Sequence, residues 1–151
     1  MPIHSVSYTQ RSSYPRLPTR RIRVLLVDDH SLLRKALRAH LGQYADIKVV
    51  GEAADGEEAV RLADTLSPDV VVMDIRMPRM NGIEATRLIL QAHPSVSVIG
   101  LSFDVGTPKE EALLKAGACT VLDKGASSKQ LHHAISQTVD RHRGACLPRG
   151  R

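Results

Sequence analysis

Five polar residues stand where apolar runs end: Asp28 and Asp29 after Ile22–Val27, Asp74 after Val70–Met73, Ser102 after Val96–Leu101, and Lys124 just beyond Cys119–Leu122. Carboxylates, a hydroxyl and an ammonium gathered on one edge of a parallel sheet would occupy the place where open α/β folds hold their ligands. Three carboxylates brought close together repel unless a cation sits among them. Mg2+ suits such a set, because it takes oxygen ligands, keeps several waters and shares its shell with phosphate oxygens. The remaining groups complete a phosphoryl-transfer chemistry: a carboxylate as nucleophile, Lys124 to neutralise phosphoryl oxygens, Ser102 to donate a hydrogen bond to one of them. Singly, each residue has an ordinary explanation, since an Asp before a helix is commonly an N-cap and a lone Lys a solvated charge. Their joint placement at strand ends, with none inside a strand, is what points to chemistry.

The elements that must position these groups alternate along the chain. Ile22–Val27 reads as a strand, and Ser31–Leu41 as a helix through Leu33, Leu37 and Leu41. Ile47–Gly51 is a second strand, followed by a helix capped by Asp55 and ended by Ser67-Pro68. Val70–Met73 has the unbroken apolarity of a central parallel strand buried on both faces. Asn81-Gly82 opens a third helix, and Val96–Leu101 is a fourth strand. Thr107-Pro108-Lys109-Glu110 reads as a capping box with Pro at the first helical position. A short fifth strand, Cys119–Leu122, precedes a last helix from about Ser127 to Arg141. Five βα units predict an α/β fold, a doubly wound, flavodoxin-like (βα)5 parallel sheet of order 2-1-3-4-5, in which Asp28, Asp29 and Asp74 converge at the crevice between strands one and three.

At 151 residues with two cysteines in no metal-binding spacing, the chain is expected to hold one domain, without structural zinc or disulfides, in a reducing compartment such as the cytoplasm. The formal charge of +5 comes from the ends: residues 1–21 and 141–151 carry eight Arg and no acid, which leaves 13 Lys and Arg against all 16 Asp and Glu between them. The folded part is therefore mildly acidic, and the basic ends are read as solvated rather than as nucleic-acid or membrane contacts. The expected organisation is a disordered leader over 1–21, a domain over 22–141 and a flexible tail over 142–151. No apolar run is long enough to span a membrane.

The residues Val24-Leu25-Leu26-Val27-Asp28-Asp29-His30, Gly51-Glu52-Ala53-Ala54-Asp55-Gly56, Val70-Val71-Val72-Met73-Asp74-Ile75-Arg76-Met77-Pro78 and Asn81-Gly82, in this order and spacing, resemble the receiver domain of bacterial two-component response regulators, over about four-fifths of the chain. The resemblance is to the subfamily that usually carries a helix-turn-helix output domain. It implies that Asp74 is the phosphoacceptor, charged by a sensor histidine kinase or a histidine phosphotransfer protein. It further implies that Asp29 ligates Mg2+ directly, that Asp28 holds the ion through water, and that the backbone carbonyl of Arg76 is a further ligand. Ser102 matches the switch hydroxyl and Lys124 the lysine that contacts the phosphoryl group. The expected result of phosphorylation is altered affinity for a downstream protein.

Two departures qualify the resemblance. Val121 stands where the family usually has a switch aromatic, and only ten residues follow Arg141, so no DNA-binding output domain is expected in this chain. Arg76 and Asp104 flank the expected path of a hydrolytic water, and their pairing would lengthen the life of the acyl phosphate. The competing readings are a docking module indifferent to phosphorylation, a metal-dependent phosphatase and an FMN-binding domain. The phosphatase would need an acid two residues after Asp74, where Arg76 stands, and Asp28-Asp29 would repel the FMN phosphate.

Overall fold

The computed structural model describes residues 20–103 and 106–144. The leader up to residue 19, Asp104 and the segment after residue 144 lie outside the described residues, and the expectations of a disordered leader and a flexible tail fall mostly on them.

Five strands and five helices alternate: β1 (Ile22–Val27), α1 (Ser31–Leu41), β2 (Ile47–Ala53), α2 (Gly56–Leu66), β3 (Val70–Asp74), α3 (Gly82–Ala92), β4 (Ser97–Ser102), α4 (Pro108–Lys115), β5 (Thr120–Asp123) and α5 (Ser128–Gly144). The strands form one parallel sheet in the order β2-β1-β3-β4-β5, as the alternation requires. The strand order reverses between β1 and β3, so the turns after these two strands leave the sheet toward opposite faces and open a crevice at their carboxyl ends.

Burial follows the pleat, because successive strand residues point to opposite faces. Leu25, Val27, Val71 and Met73 pack with Ala59 and Ala63 of α2, Ala85 and Ile89 of α3 and Leu113 of α4. Val24, Leu26, Val70 and Val72 pack with Leu41 of α1 and Leu131, Ile135 and Val139 of α5. The sheet thus separates two apolar layers, and each large side chain taken fully out of water contributes ~1.5–3 kcal/mol before entropy is charged against it.

Local chemistry sets the helix ends. Asp55 caps α2 by accepting from the Glu58 amide at 2.8 Å, while the Glu58 carboxylate accepts from the Ala54 amide at 3.0 Å. Asn81 caps α3 through the Glu84 amide at 3.0 Å. The capping box expected at α4 is only half built: Thr107 is the N-cap residue, but its hydroxyl makes no capping bond, and Glu110 instead accepts from the Gly106 amide. Gly106 has a left-handed φ of +88°, which turns its amide toward Glu110 in place of the Thr107 amide. α5 continues to Gly144, three residues past the helix end expected near Arg141.

The loop behind Asp74 is tied down at both ends. The Gly82 amide donates to the Ile75 carbonyl at 2.9 Å, and the Gly56 amide at the start of α2 donates to the Met80 carbonyl at 3.0 Å. Arg79, in the left-handed region at φ 67°, reaches Asp55 at 3.0 Å. A side chain on Gly82 would collide with the Asp74 carbonyl. Gly82→Ala is expected to lose about 1–3 kcal/mol of stability in urea denaturation, the range for overpacking a site with no room to relax.

Candidate functional site

The carboxyl ends of β1, β3, β4 and β5 bring the anticipated residues together. Asp28 follows β1 and is buried, its amide donating to the Ala53 carbonyl of β2 at 3.0 Å. One of its carboxylate oxygens accepts from the His30 amide at 2.8 Å and the other from the Lys124 ammonium at 2.9 Å. Asp74, the last residue of β3, is 3% exposed and pairs with the same ammonium at 3.0 Å. Lys124 follows β5 directly, and its amide donates to the Ser102 carbonyl at 2.9 Å, continuing the β4–β5 ladder by one rung. Its side chain is only 3% exposed, so it is a buried bridge between two carboxylates and not a solvated charge.

The electrostatics follow from this crowding. Burial, together with the neighbouring Asp28 charge, pushes the Asp74 carboxyl up to about 6 from an ordinary 3.8, although Lys124 and the Arg76 amide pull it down. Burial also disfavours the Asp28 charge, but the His30 amide and Lys124 outweigh it and hold this carboxyl below its ordinary value. Burial opposes the Lys124 charge as well, and bonds to Asp28 and Asp74 more than offset that, raising its pKa. The second Asp74 oxygen, Oδ2, is buried with no hydrogen-bond partner among the described residues. Ligand atoms of Asp28, Asp29, His30 and Asp74 all lie within 4.8 Å of one another. An orphaned carboxylate oxygen beside a compact acidic cluster fits a small, hard cation.

Ser102 is buried at the end of β4 and lines, with Asp74, Arg76 and Lys124, a cavity of about 250 Å3. Arg76 is exposed at the cavity wall. Val121 pairs with Gly100 in the β4–β5 ladder and is half-buried against the apolar layer that holds Leu113. It fills part of the space that the missing side chain of Gly100 leaves open.

Two residues of this site were not singled out from sequence. The His30 ring lies 3.0 Å from an Asp28 oxygen and 3.2 Å from an Asp29 oxygen, so it belongs to the acidic cluster as well as to the start of α1. Its position directly after two acids was the available signal. Phe103 follows Ser102 and holds its ring over the Lys124 ammonium, 4.9 Å from the ring centroid, while remaining 68% exposed.

The family model for the response regulator receiver domain matches residues 24–136. This chain belongs to the response regulator receiver family. The receiver is 42% identical over 114 residues to the response regulator GacA of Pseudomonas viridiflava, which spans 76% of this chain and 53% of that protein. It is 44% identical over 114 residues to the transcriptional regulatory protein LiaR of Bacillus subtilis, with 76% of this chain and 54% of that protein covered. It spans about half the length of the curated relatives it matches. Among solved structures, the response regulator domain of Thermotoga maritima CheB superposes with a TM-score of 0.74 at 38% identity, over 80% of this chain and 98% of that one. A LuxR-family response regulator from Aurantimonas gives 0.74 at 34% identity, over 79% and 85%. The sheet order and the receiver fold are thereby the same finding reached from strand pairing and from similarity. No helix among the described residues is long and apolar enough to cross a membrane.

Proposed function

We propose that this receiver accepts a phosphoryl group on Asp74 from a phosphohistidine of a kinase or phosphotransfer protein, in the cytoplasm, and thereby changes its affinity for a downstream protein. The observation that carries this reading is the Asp74 carboxylate itself: one oxygen is held by Lys124 at 3.0 Å, and the other is buried, without a hydrogen-bond partner among the described residues, and beside the acidic cluster. A nucleophile for phosphoryl transfer needs such fixed orientation and a nearby positive charge. Lys124 would neutralise a peripheral phosphoryl oxygen, and Ser102, lining the same cavity, would donate to another.

Asp28, Asp29 and Asp74, with the Arg76 carbonyl, would hold Mg2+. Bound there, the ion would offset the charge of the carboxylates and of the incoming phosphoryl group. Any catalysis is self-directed: the protein modifies its own Asp74, and hydrolysis resets it. Pairing of Arg76 with Asp104 to shield the acyl phosphate remains part of this proposal, since Asp104 lies outside the described residues.

Intact mass after incubation with acetyl phosphate and Mg2+ tests the reading. A gain of one phosphoryl group that EDTA abolishes is the expected result. No gain with donor and metal in excess would remove the phosphoacceptor role.

A further inference from the structure

Phe103 is the only phenylalanine in the chain, which also lacks tryptophan, and it is among the most exposed large apolar side chains of the described residues. Its ring packs against the Lys124 ammonium and not within either apolar layer of the sheet. It lines the cavity over Asp74 together with three cationic side chains, Arg76, Lys109 and Lys124. One ring face is turned to the Lys124 ammonium at 4.9 Å, and with 68% of the residue exposed the ring stays accessible from the cavity mouth.

We propose that Phe103 selects the phosphodonor, favouring donors whose phosphoryl group is carried on a heteroaromatic ring over donors that carry it on a carboxylate. This rests on the phosphoacceptor reading of Asp74. In the transfer, an Asp74 carboxylate oxygen forms the new P–O bond as the donor's P–N bond breaks. The P–N electron pair stays on the imidazole nitrogen, and a ring protonated on its other nitrogen leaves as neutral imidazole with no further proton needed. With the phosphorus over Asp74, the departing group lies toward the cavity mouth, where Phe103 stands. The departing neutral imidazole meets the face or edge of a benzene ring favourably, whereas the acetate leaving from acetyl phosphate presents negative charge to the negative ring face. Lys124 cannot make this distinction, because both donors bring it the same phosphoryl group.

The measurement is kcat/KM for phosphorylation of Asp74, with monophosphoimidazole and with acetyl phosphate, in wild type, Phe103→Ala, Phe103→Leu and Phe103→Tyr. An exposed position carries little risk to the fold, and Leu keeps apolar bulk while removing the ring. The ratio of the two constants is expected to fall by about 3- to 10-fold in the Ala and Leu variants, the scale of one aromatic contact, and to be kept in Tyr. Equal changes with both donors, leaving the ratio at the wild-type value, would mean that Phe103 acts as a steric gate or structural residue, and would overturn the proposal. Restoration of the ratio by Leu would overturn it too, by showing that bulk suffices. Failure of wild type to react with either donor would instead strike at the phosphoacceptor reading, and this inference would fall with it.

Discussion

Asp74→Asn is expected to abolish phosphoryl uptake and, at the same time, to make the fold more stable at pH 7 in the absence of Mg2+. The two effects have one origin. An amide in place of the carboxylate is no nucleophile, so labelling by acetyl phosphate should drop at least about a thousandfold, as when the reacting group of a catalytic unit is removed. The carboxylate it replaces is charged against its surroundings: burial and the Asp28 charge raise its folded pKa to about 6, above an unfolded value near 3.8. Between those values the native state holds more protons than the unfolded chain, so this group's contribution is fully present below about pH 4 and is lost as pH rises through about 6. A shift of roughly two units corresponds to about 2–3 kcal/mol at pH 7. The amide removes that penalty, while Lys124 keeps its partner in Asp28 at 2.9 Å. Urea denaturation from pH 4 to pH 8 with chelator should show the variant ahead of wild type at neutral pH and level with it near pH 4. Added Mg2+ should narrow the gap by stabilising wild type. A variant that is less stable at pH 7, or a gap that ignores pH, would contradict the electrostatic account of the site.

Lys124→Met should do the opposite to stability and a comparable harm to uptake. Methionine keeps an unbranched apolar stem in the cleft but leaves Asp28 and Asp74, both buried, without the cation they share. Removing one partner of a buried charge cluster costs about 3–5 kcal/mol when the remaining charges persist. Asp74 can lower that cost by taking a proton, so the variant should lose most at pH 8 and least near pH 5.5. Phosphoryl uptake should fall by about a hundred- to a thousandfold, the range for loss of one preorganised donor to developing charge. Denaturation at the two pH values and the initial rate of mass gain are the checks. Uptake at the wild-type rate would show that this ammonium does not meet the phosphoryl group.

Much of this site was legible in the sequence because the fold is simple in period. Strands such as Val70–Met73 are apolar throughout, and a polar residue at the end of such a run can only emerge at the sheet edge. The helix signals at Asp55 and Asn81 were equally readable, since short acceptor side chains there meet free amides. What was not legible depends on distance between elements. A lone lysine after a short strand gives no sign that it will lie 3% exposed between an acid that follows β1 and one that ends β3, 96 residues away from the first of them. Phe103 escaped notice because a single aromatic in a loop has no periodic context, and its meaning comes only from the ammonium beneath it. The Thr107 cap failed for a local reason that residue types do not encode: the left-handed turn at Gly106 redirects the Glu110 carboxylate.

The rung between the Lys124 amide and the Ser102 carbonyl has a mechanical consequence. The backbone segments that carry the two groups expected to grip a phosphoryl oxygen are joined by this hydrogen bond, so a shift of one strand end is passed to the other. Beyond that rung, the β4–β5 ladder runs from the site to the edge strand of the sheet. In such a protein the message of phosphorylation would travel as a shear of one sheet edge, legible as altered amide exchange along β5, and its reader would be a surface sensitive to the position of a strand.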